Sequence, residues 1–232
     1  MLDSAADAIV SGVNIFLSGR NFARLMEGLW VTLEISVISV ALSMLLGIFA
    51  GLLMTSKNRL VLAGTRLYLE AIRVIPILVL LFLFYYSLSR LWGINLSAIS
   101  VAVLVFTLWG TAEMADLVRG AITSMPAHQK ESGRAIGLTE AQINRYIIIP
   151  QAVRRLLPGV INLTTRMIKT TPFVFFINVP DLVKVGQQIV EIAGMRNHMA
   201  SFWVYGAIFL IYFAICYPIS RFSIYLERKW EC

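Results

Sequence analysis

Four stretches of this chain run for the length of a bilayer, or close to it, without a single Asp, Glu, Lys or Arg: Ile35 to Thr55, Val74 to Ser89, Leu91 to Ala112 and Met199 to Ser220. A charge at mid-bilayer costs at least about 2.5 kcal/mol, so such windows are the marks of membrane-spanning helices across a hydrocarbon core of roughly 30 Å. Gly28 to Glu34 extends the first window into a long helix. The second begins near Leu67, and the third becomes a span once the Gly93 and Asn95 turn is trimmed off. A fifth stretch, Pro158 to Pro180, is apolar enough to cross but carries Arg166 and Lys169. The expectation is an all-α integral membrane protein with about five transmembrane helices.

Composition agrees. Hydrophobic residues make up 58% of the 232 residues and charged residues 14%, well below the roughly 25% of soluble domains. That length supplies one compact membrane domain, 1–232, and no second large one. With the N-terminus outside and the C-terminus inside, the cytoplasmic side collects 12 of the 20 basic residues, so the positive-inside rule selects N-out, C-in. The net charge of +7 is then mainly a topology signal, and nucleic-acid binding is not needed to explain it. The first residues lack the basic and small-residue marks of a signal peptide. Ala5, Ala6, Ile9, Val10, Val13 and Phe16 recur at roughly helical spacing, which suits a short interfacial segment within 1–25. Cys216 and Cys232 form no CxxC pair, and no structural disulfide is expected.

No phosphate loop, nucleophile elbow, zinc-protease motif or metal-spaced Cys/His cluster occurs, so no catalytic or metal residue is assigned and the chain alone is not expected to be an enzyme. The unusual feature is instead the long polar loop at about 121–155. Pro126 opens a helix-compatible stretch, Gly137 permits a sharp reversal, Thr139 can cap a second short helix in capping-box register with Gln142, and Pro150 is expected to stop it. Ser132, Gly133 and Ala135 are small enough to let a partner approach. A solvated basic loop serving topology alone fits the same composition.

Glu131-Ser132-Gly133-Arg134-Ala135-Ile136-Gly137, followed nine residues later by Ile147-Ile148-Ile149-Pro150, resembles the EAA loop of membrane subunits of binding-protein-dependent ABC importers. That pattern is E-A-A, three residues, G, nine residues, then I-x-L-P; Ser132 and Gly133 stand for the alanines and Ile149 for the leucine. Three further stretches resemble the polar amino-acid branch. They are Glu70 to Val79, Asp116 to Gln129 and Lys169 to Pro172, with departures at Val74, Ile75, Asp116, His128 and Pro172. The resemblance covers nearly everything from Gly28 onward. It implies a MetI-like type I permease fold in a bacterial cytoplasmic membrane, paired with a second copy or a related permease. Its implied partners are two ATPase subunits, which bind the ATP and Mg, a substrate-binding protein and membrane lipids; no cofactor falls to this chain. It assigns ATPase coupling to Glu131, Ser132, Gly133, Ala135, Gly137 and Leu138.

Ionisable residues inside spans usually face a bundle interior or a wet cavity. Arg166 and Lys169 share a helix face, Glu113 can lie opposite, and Asn162, Thr165 and Thr170 can add hydrogen bonds. One reading is a substrate path for a zwitterionic amino acid; the other is a structural ion pair of Glu113 with Arg166 or Lys169. An alternative to the importer as a whole is a gradient-driven carrier or channel that relays ions through Glu113, Arg166 and Lys169. Arg73 and Arg119 are expected to snorkel or to make helix-terminal contacts. Pro180 to Gly194 reads as an amphipathic helix on the outer surface, with Leu182, Val185, Ile189 and Ile192 inward and Asp181, Lys184, Gln188 and Glu191 outward.

Overall fold

The computed structural model describes residues 10, 12–88, 90, 93, 95–195 and 197–230. Its longest helix, α1 (Asn21–Leu53), begins seven residues before the expected Gly28, where the Asn21 side-chain amide donates to the Ile15 carbonyl at 2.8 Å. One face of α1 carries Thr32, Ser36, Ser39, Ser43, Gly47 and Gly51, three or four residues apart and all buried. Against it lies α4 (Ala98–Thr123), capped by Ser97, whose hydroxyl accepts from the Ser100 amide at 3.1 Å. Small residues bring the two backbones close, which matters in a bilayer where van der Waals packing replaces the hydrophobic driving force. A Cβ on Gly51 would lie 2.6 Å from Cβ of Val118, and one on Gly47 or Gly110 would collide with Met114 or Ser43. The Ser43 hydroxyl donates to the Thr107 carbonyl at 3.2 Å across this seam.

Between these helices the chain departs from the expected second span. Helix α2 (Arg59–Val74) starts from an Asn58 cap and ends at extended Ile75 before Pro76, as the residue preceding a proline prefers. It then bends by 98° into α3 (Ile77–Ser87). Leu67 to Ser89 is therefore not one straight helix: proline removes an amide donor and its ring clashes with the preceding turn, so the apolar window conceals a corner. The third span is longer than expected. Helix α4 begins at Ala98, just after the trimmed Gly93 and Asn95 turn, but runs well past Ala112, carrying Glu113, Asp116 and Arg119 within the helix.

Two short helices follow, α5 (Ala127–Ala135) and α6 (Glu140–Ile143). Then α6 runs through a π-turn at Asn144–Ile148 into α7 (Ile149–Thr170). Pro150 does not stop this helix. It stands just past the π-turn, where the hydrogen-bond ladder is already displaced by one residue, and the helix continues through it. The expected span from Pro158 to Pro180 breaks at its far end: Thr171–Ile177 tightens into a 3-10 helix, Asn178 turns left-handed at φ +65°, and Asp181 caps α8 (Leu182–Ala193) with bonds from the Val183 and Lys184 amides. Helix α9 (Ala200–Trp230) extends the last window well beyond Ser220.

Side-chain packing forms two main cores. Ile35, Leu81, Phe106, Met167, Val174 and Ile177 join α1, α3, α4, α7 and the 3-10 turn. Leu25, Leu182, Ile189, Val204 and Ile208 join α1, α8 and α9. The inward face of α8 holds Leu182, Val185 and Ile189 as expected, but Ile192 is 61% exposed and Asp181, expected outward, is fully buried as the helix cap. Residues 12–17 are helical and seat Ile15 on the second core, while Val10 and Val13 point away; Ala5, Ala6 and Ile9 lie outside the described residues. Cys216 is a buried free thiol, and Cys232 lies outside the described residues.

Candidate functional site

Two arrangements stand out, an elbow between α5 and α6 and a seam of charges among α2, α4 and α7. At the elbow, α5 ends in a Schellman motif: the Leu138 amide donates to the Gly133 carbonyl at 3.1 Å and the Gly137 amide to the Arg134 carbonyl at 2.9 Å. Gly137 adopts φ +82°, the left-handed conformation that this motif requires. Thr139 then caps α6 in a complete capping box with Gln142. Arg134 reaches across the turn to Glu140, Nε to Oε1 at 2.6 Å. This bond and the neighbouring positive charge hold the Glu140 carboxyl below its ordinary range and push the Arg134 guanidinium up.

Glu131, Ser132, Ala135 and Gly137 are exposed on this elbow and Leu138 is half-buried. Gly133 is not turned to a partner as expected. It is buried against α6, where a Cβ would lie 2.8 Å from Ile143 Cγ1, so its smallness closes the elbow on itself. Ile136, which sequence reasoning did not single out, is 75% exposed at the tip. An apolar residue between a helix end and its turning glycine was the available signal.

In the charged seam, Glu113 of α4 pairs with Arg166 of α7 at 2.5 Å and with Arg73 of α2 at 3.5 Å. Arg73 also pairs with Asp116 at 2.9 Å, and Asp116 with Arg119. Arg73 and Arg119 thus hold carboxylates of α4 rather than snorkelling. Three arginines meet two carboxylates, so the seam carries one excess positive charge. Lys169 adds another, exposed and outside every ion pair among the described residues. The Arg166 guanidinium also lies 5.7 Å from the centre of the Trp109 ring.

The remaining path residues divide. Asn162, Arg166 and Lys169 share an exposed face of α7, with half-buried Thr170 beside them, its hydroxyl donating to the Arg166 carbonyl at 2.8 Å. Thr165 does not join that face; it is 3% exposed and its hydroxyl is satisfied by the Ile161 and Asn162 carbonyls of its own helix. Such an array can bind a carboxylate through cations and hydrogen bonds. Among the described residues no metal-binding cluster occurs.

A helical bundle with a structured elbow and an ion-paired interior matches known proteins on sequence as well as shape. The profile of the family described as "Binding-protein-dependent transport system inner membrane component" matches residues 43–231. The chain belongs to this family. Members are permease subunits, which are not themselves catalytic. The permease is 33% identical over 217 residues to the probable amino-acid ABC transporter permease protein YckA of Bacillus subtilis (strain 168), covering 94% of this chain and 93% of that one. It is 31% identical over 208 residues to the glutamine transport system permease protein GlnP of Escherichia coli (strain K12), covering 89% and 93%. Among solved structures, one described as an amino acid ABC transporter with histidines superposes with TM-score 0.81 at 30% identity, over 90% of this chain and 94% of that one. The methionine transporter MetNI in an inward-facing form gives TM-score 0.70 at 19% identity over 90% and 99%, a likeness of fold. The expected MetI-like architecture is therefore present.

Proposed function

We propose that this permease is one of two membrane subunits of an ATP-driven importer for polar amino acids in the bacterial cytoplasmic membrane, with its N-terminus outside and its elbow in the cytosol. Two separate ATPase subunits bind ATP and Mg and hydrolyse the nucleotide, and a substrate-binding protein delivers cargo to the outer face. The chain itself needs no cofactor.

The observation that carries this reading is the elbow. A Schellman turn, a capping box and the Arg134 to Glu140 pair make it stiff, while Glu131, Ser132, Ala135 and Ile136 remain open to a partner. A stiff projection transmits thrust, and its continuity with α7 through the π-turn carries that thrust to Arg166. The relatives' amino-acid and glutamine descriptions support the cargo class. ATP-driven closure of the ATPases then tilts α7 against α4, and the path between the two permeases alternates between the two sides.

Gly137→Asp and Glu131→Lys, each reconstituted with the ATPase and binding-protein partners, test the coupling. The expected result is insertion at normal levels, loss of uptake and ATP hydrolysis no longer stimulated by loaded binding protein. Normal uptake in both variants would sink the coupling role, and uptake driven by an ion gradient without ATPase would favour the carrier reading.

A further inference from the structure

Where α7 and α9 meet, the side chains of Arg154, Arg155, Glu227 and Trp230 line an open cleft of about 240 Å³, with Pro158 and Gly159 also in its wall. Pro158 carries no long side chain toward α9, while the bare Gly159 lets Leu117 of α4 pack close on the other side. The floor is fixed: the Ser223 hydroxyl of α9 donates to the Pro158 carbonyl of α7 at 3.1 Å, and both residues are buried. Arg155 is held before any ligand arrives, because its Nη1 donates to the Ser124 carbonyl and hydroxyl at 3.0 and 3.1 Å. No ion pair among the described residues joins Arg154, Arg155 or Glu227, although they line one space.

Depth decides what can fill it. The charge-free window of α9 ends at Ser220, so Ser223 and the floor lie about 4–5 Å beyond the hydrocarbon and Glu227 about 10 Å beyond, at a rise of 1.5 Å per residue. The headgroup layer on each side is roughly 5–8 Å thick. The floor is therefore at the level of lipid phosphates, and Glu227 stands just beyond the headgroup layer, its side chain leaning back toward the membrane as helical side chains lean toward their helix N-terminus.

We propose that this pocket holds the headgroup of a phosphatidylethanolamine from the adjoining leaflet. The two guanidinium groups take the phosphodiester by charge-assisted hydrogen bonds, as basic pockets between membrane helices do. The Glu227 carboxylate takes the primary ammonium. That carboxylate is what selects the lipid. Phosphatidylglycerol offers the same phosphodiester but only neutral hydroxyls as donors to the carboxylate, a weaker contact than the charge-assisted one from an ammonium, and phosphatidylcholine offers a bulkier cation with no N–H to donate. The bound lipid wedges between α7 and α9 next to the helix that continues from the elbow.

The test uses the full chain assembled with its ATPase and binding-protein partners, released from membranes of equal phosphatidylethanolamine, phosphatidylglycerol and phosphatidylcholine. Native mass spectrometry then reads the retained lipid. Wild type is expected to retain phosphatidylethanolamine about three- to fivefold over each competitor, the ratio one exposed charge pair confers. Glu227→Gln should bring the phosphatidylethanolamine to phosphatidylglycerol ratio to one or below, and Arg154→Gln should lower retention of both. Equal retention of the three lipids by wild type would overturn the proposal, and so would an unchanged ratio in Glu227→Gln. Absence of the lipid from the ATPase-bound assembly, or its displacement by millimolar inorganic phosphate as readily as by phosphoethanolamine, would equally assign the pocket to another occupant.

Discussion

Nothing lies within 4 Å of where a side chain on Gly137 would begin, so glycine is needed there for its φ of +82° and not for space. Gly137→Ala should therefore strain the backbone by about 1–2 kcal/mol without a clash. Hydrogen exchange of the elbow amides should quicken by about 5- to 30-fold, while α1 and α9 stay unchanged. Gly133 poses the opposite problem, since its backbone is ordinary and its space is occupied by Ile143. The Arg134 to Glu140 pair sets a pH dependence at the same place. The folded-state pKa of Glu140 is depressed, chiefly by the hydrogen bond from Arg134, so the pair stabilises the elbow above the ordinary Glu value of about 4.5. That contribution is lost as pH falls through the lower, folded value. The protection of amides 134–140, taken relative to their intrinsic exchange rates at each pH, should fall below pH about 4.5 in wild type, and Glu140→Gln should remove that step.

At the scale of elements, the contact of α1 with α4 rests on the absence of side chains. Gly47→Leu must push Met114 and the α4 backbone away, and overpacking of this kind costs about 1–3 kcal/mol. A lowered unfolding temperature in detergent is expected, whereas Gly206→Ala on α9, where a Cβ meets nothing within 4 Å, should be neutral or slightly stabilising. A drop of equal size in both would show that the seam is not special. The same packing explains what was legible beforehand. Long charge-free windows mark α1 and α9 because hydropathy averages over a whole span. Windows carry no direction, so the 98° corner at Pro76 was invisible to them although the proline itself was in view. Pro150 was misread because a π-turn just before it relieves the clash that would otherwise stop the helix, and no residue type announces a π-turn. The elbow was readable since Gly137, Thr139 and Gln142 act on their own backbone. Arg73 and Asp116 were not placed together because they are 43 positions apart and only the fold of α2 onto α4 brings them into contact. Thr165 was counted among the hydrogen-bonding residues of the path because helical spacing cannot say which margin of a face turns inward.

For the molecule as a whole, the exposed face of α7 cannot be a lipid-facing surface. Arg166 has half its side chain uncovered, Asn162 and Lys169 are exposed beside it, and each charge turned to lipid costs at least about 2.5 kcal/mol. Helix α9 is the reverse: Phe209, Leu210 and Phe213 are exposed and wholly apolar, as suits contact with acyl chains. A single chain therefore has one side made for lipid and another that must be covered by protein or by water. In a background where Cys216 and Cys232 are serine, Lys169→Cys in the assembled transporter should react with a charged, membrane-impermeant thiol reagent, and transported amino acid should slow the reaction. Phe209→Cys should ignore that reagent and react with a lipid-soluble maleimide instead. If the charged reagent modified both positions at the same rate, or neither, the α7 face would not line a wet path, and the seam of Glu113, Arg73 and Arg166 would be left as a tether between helices.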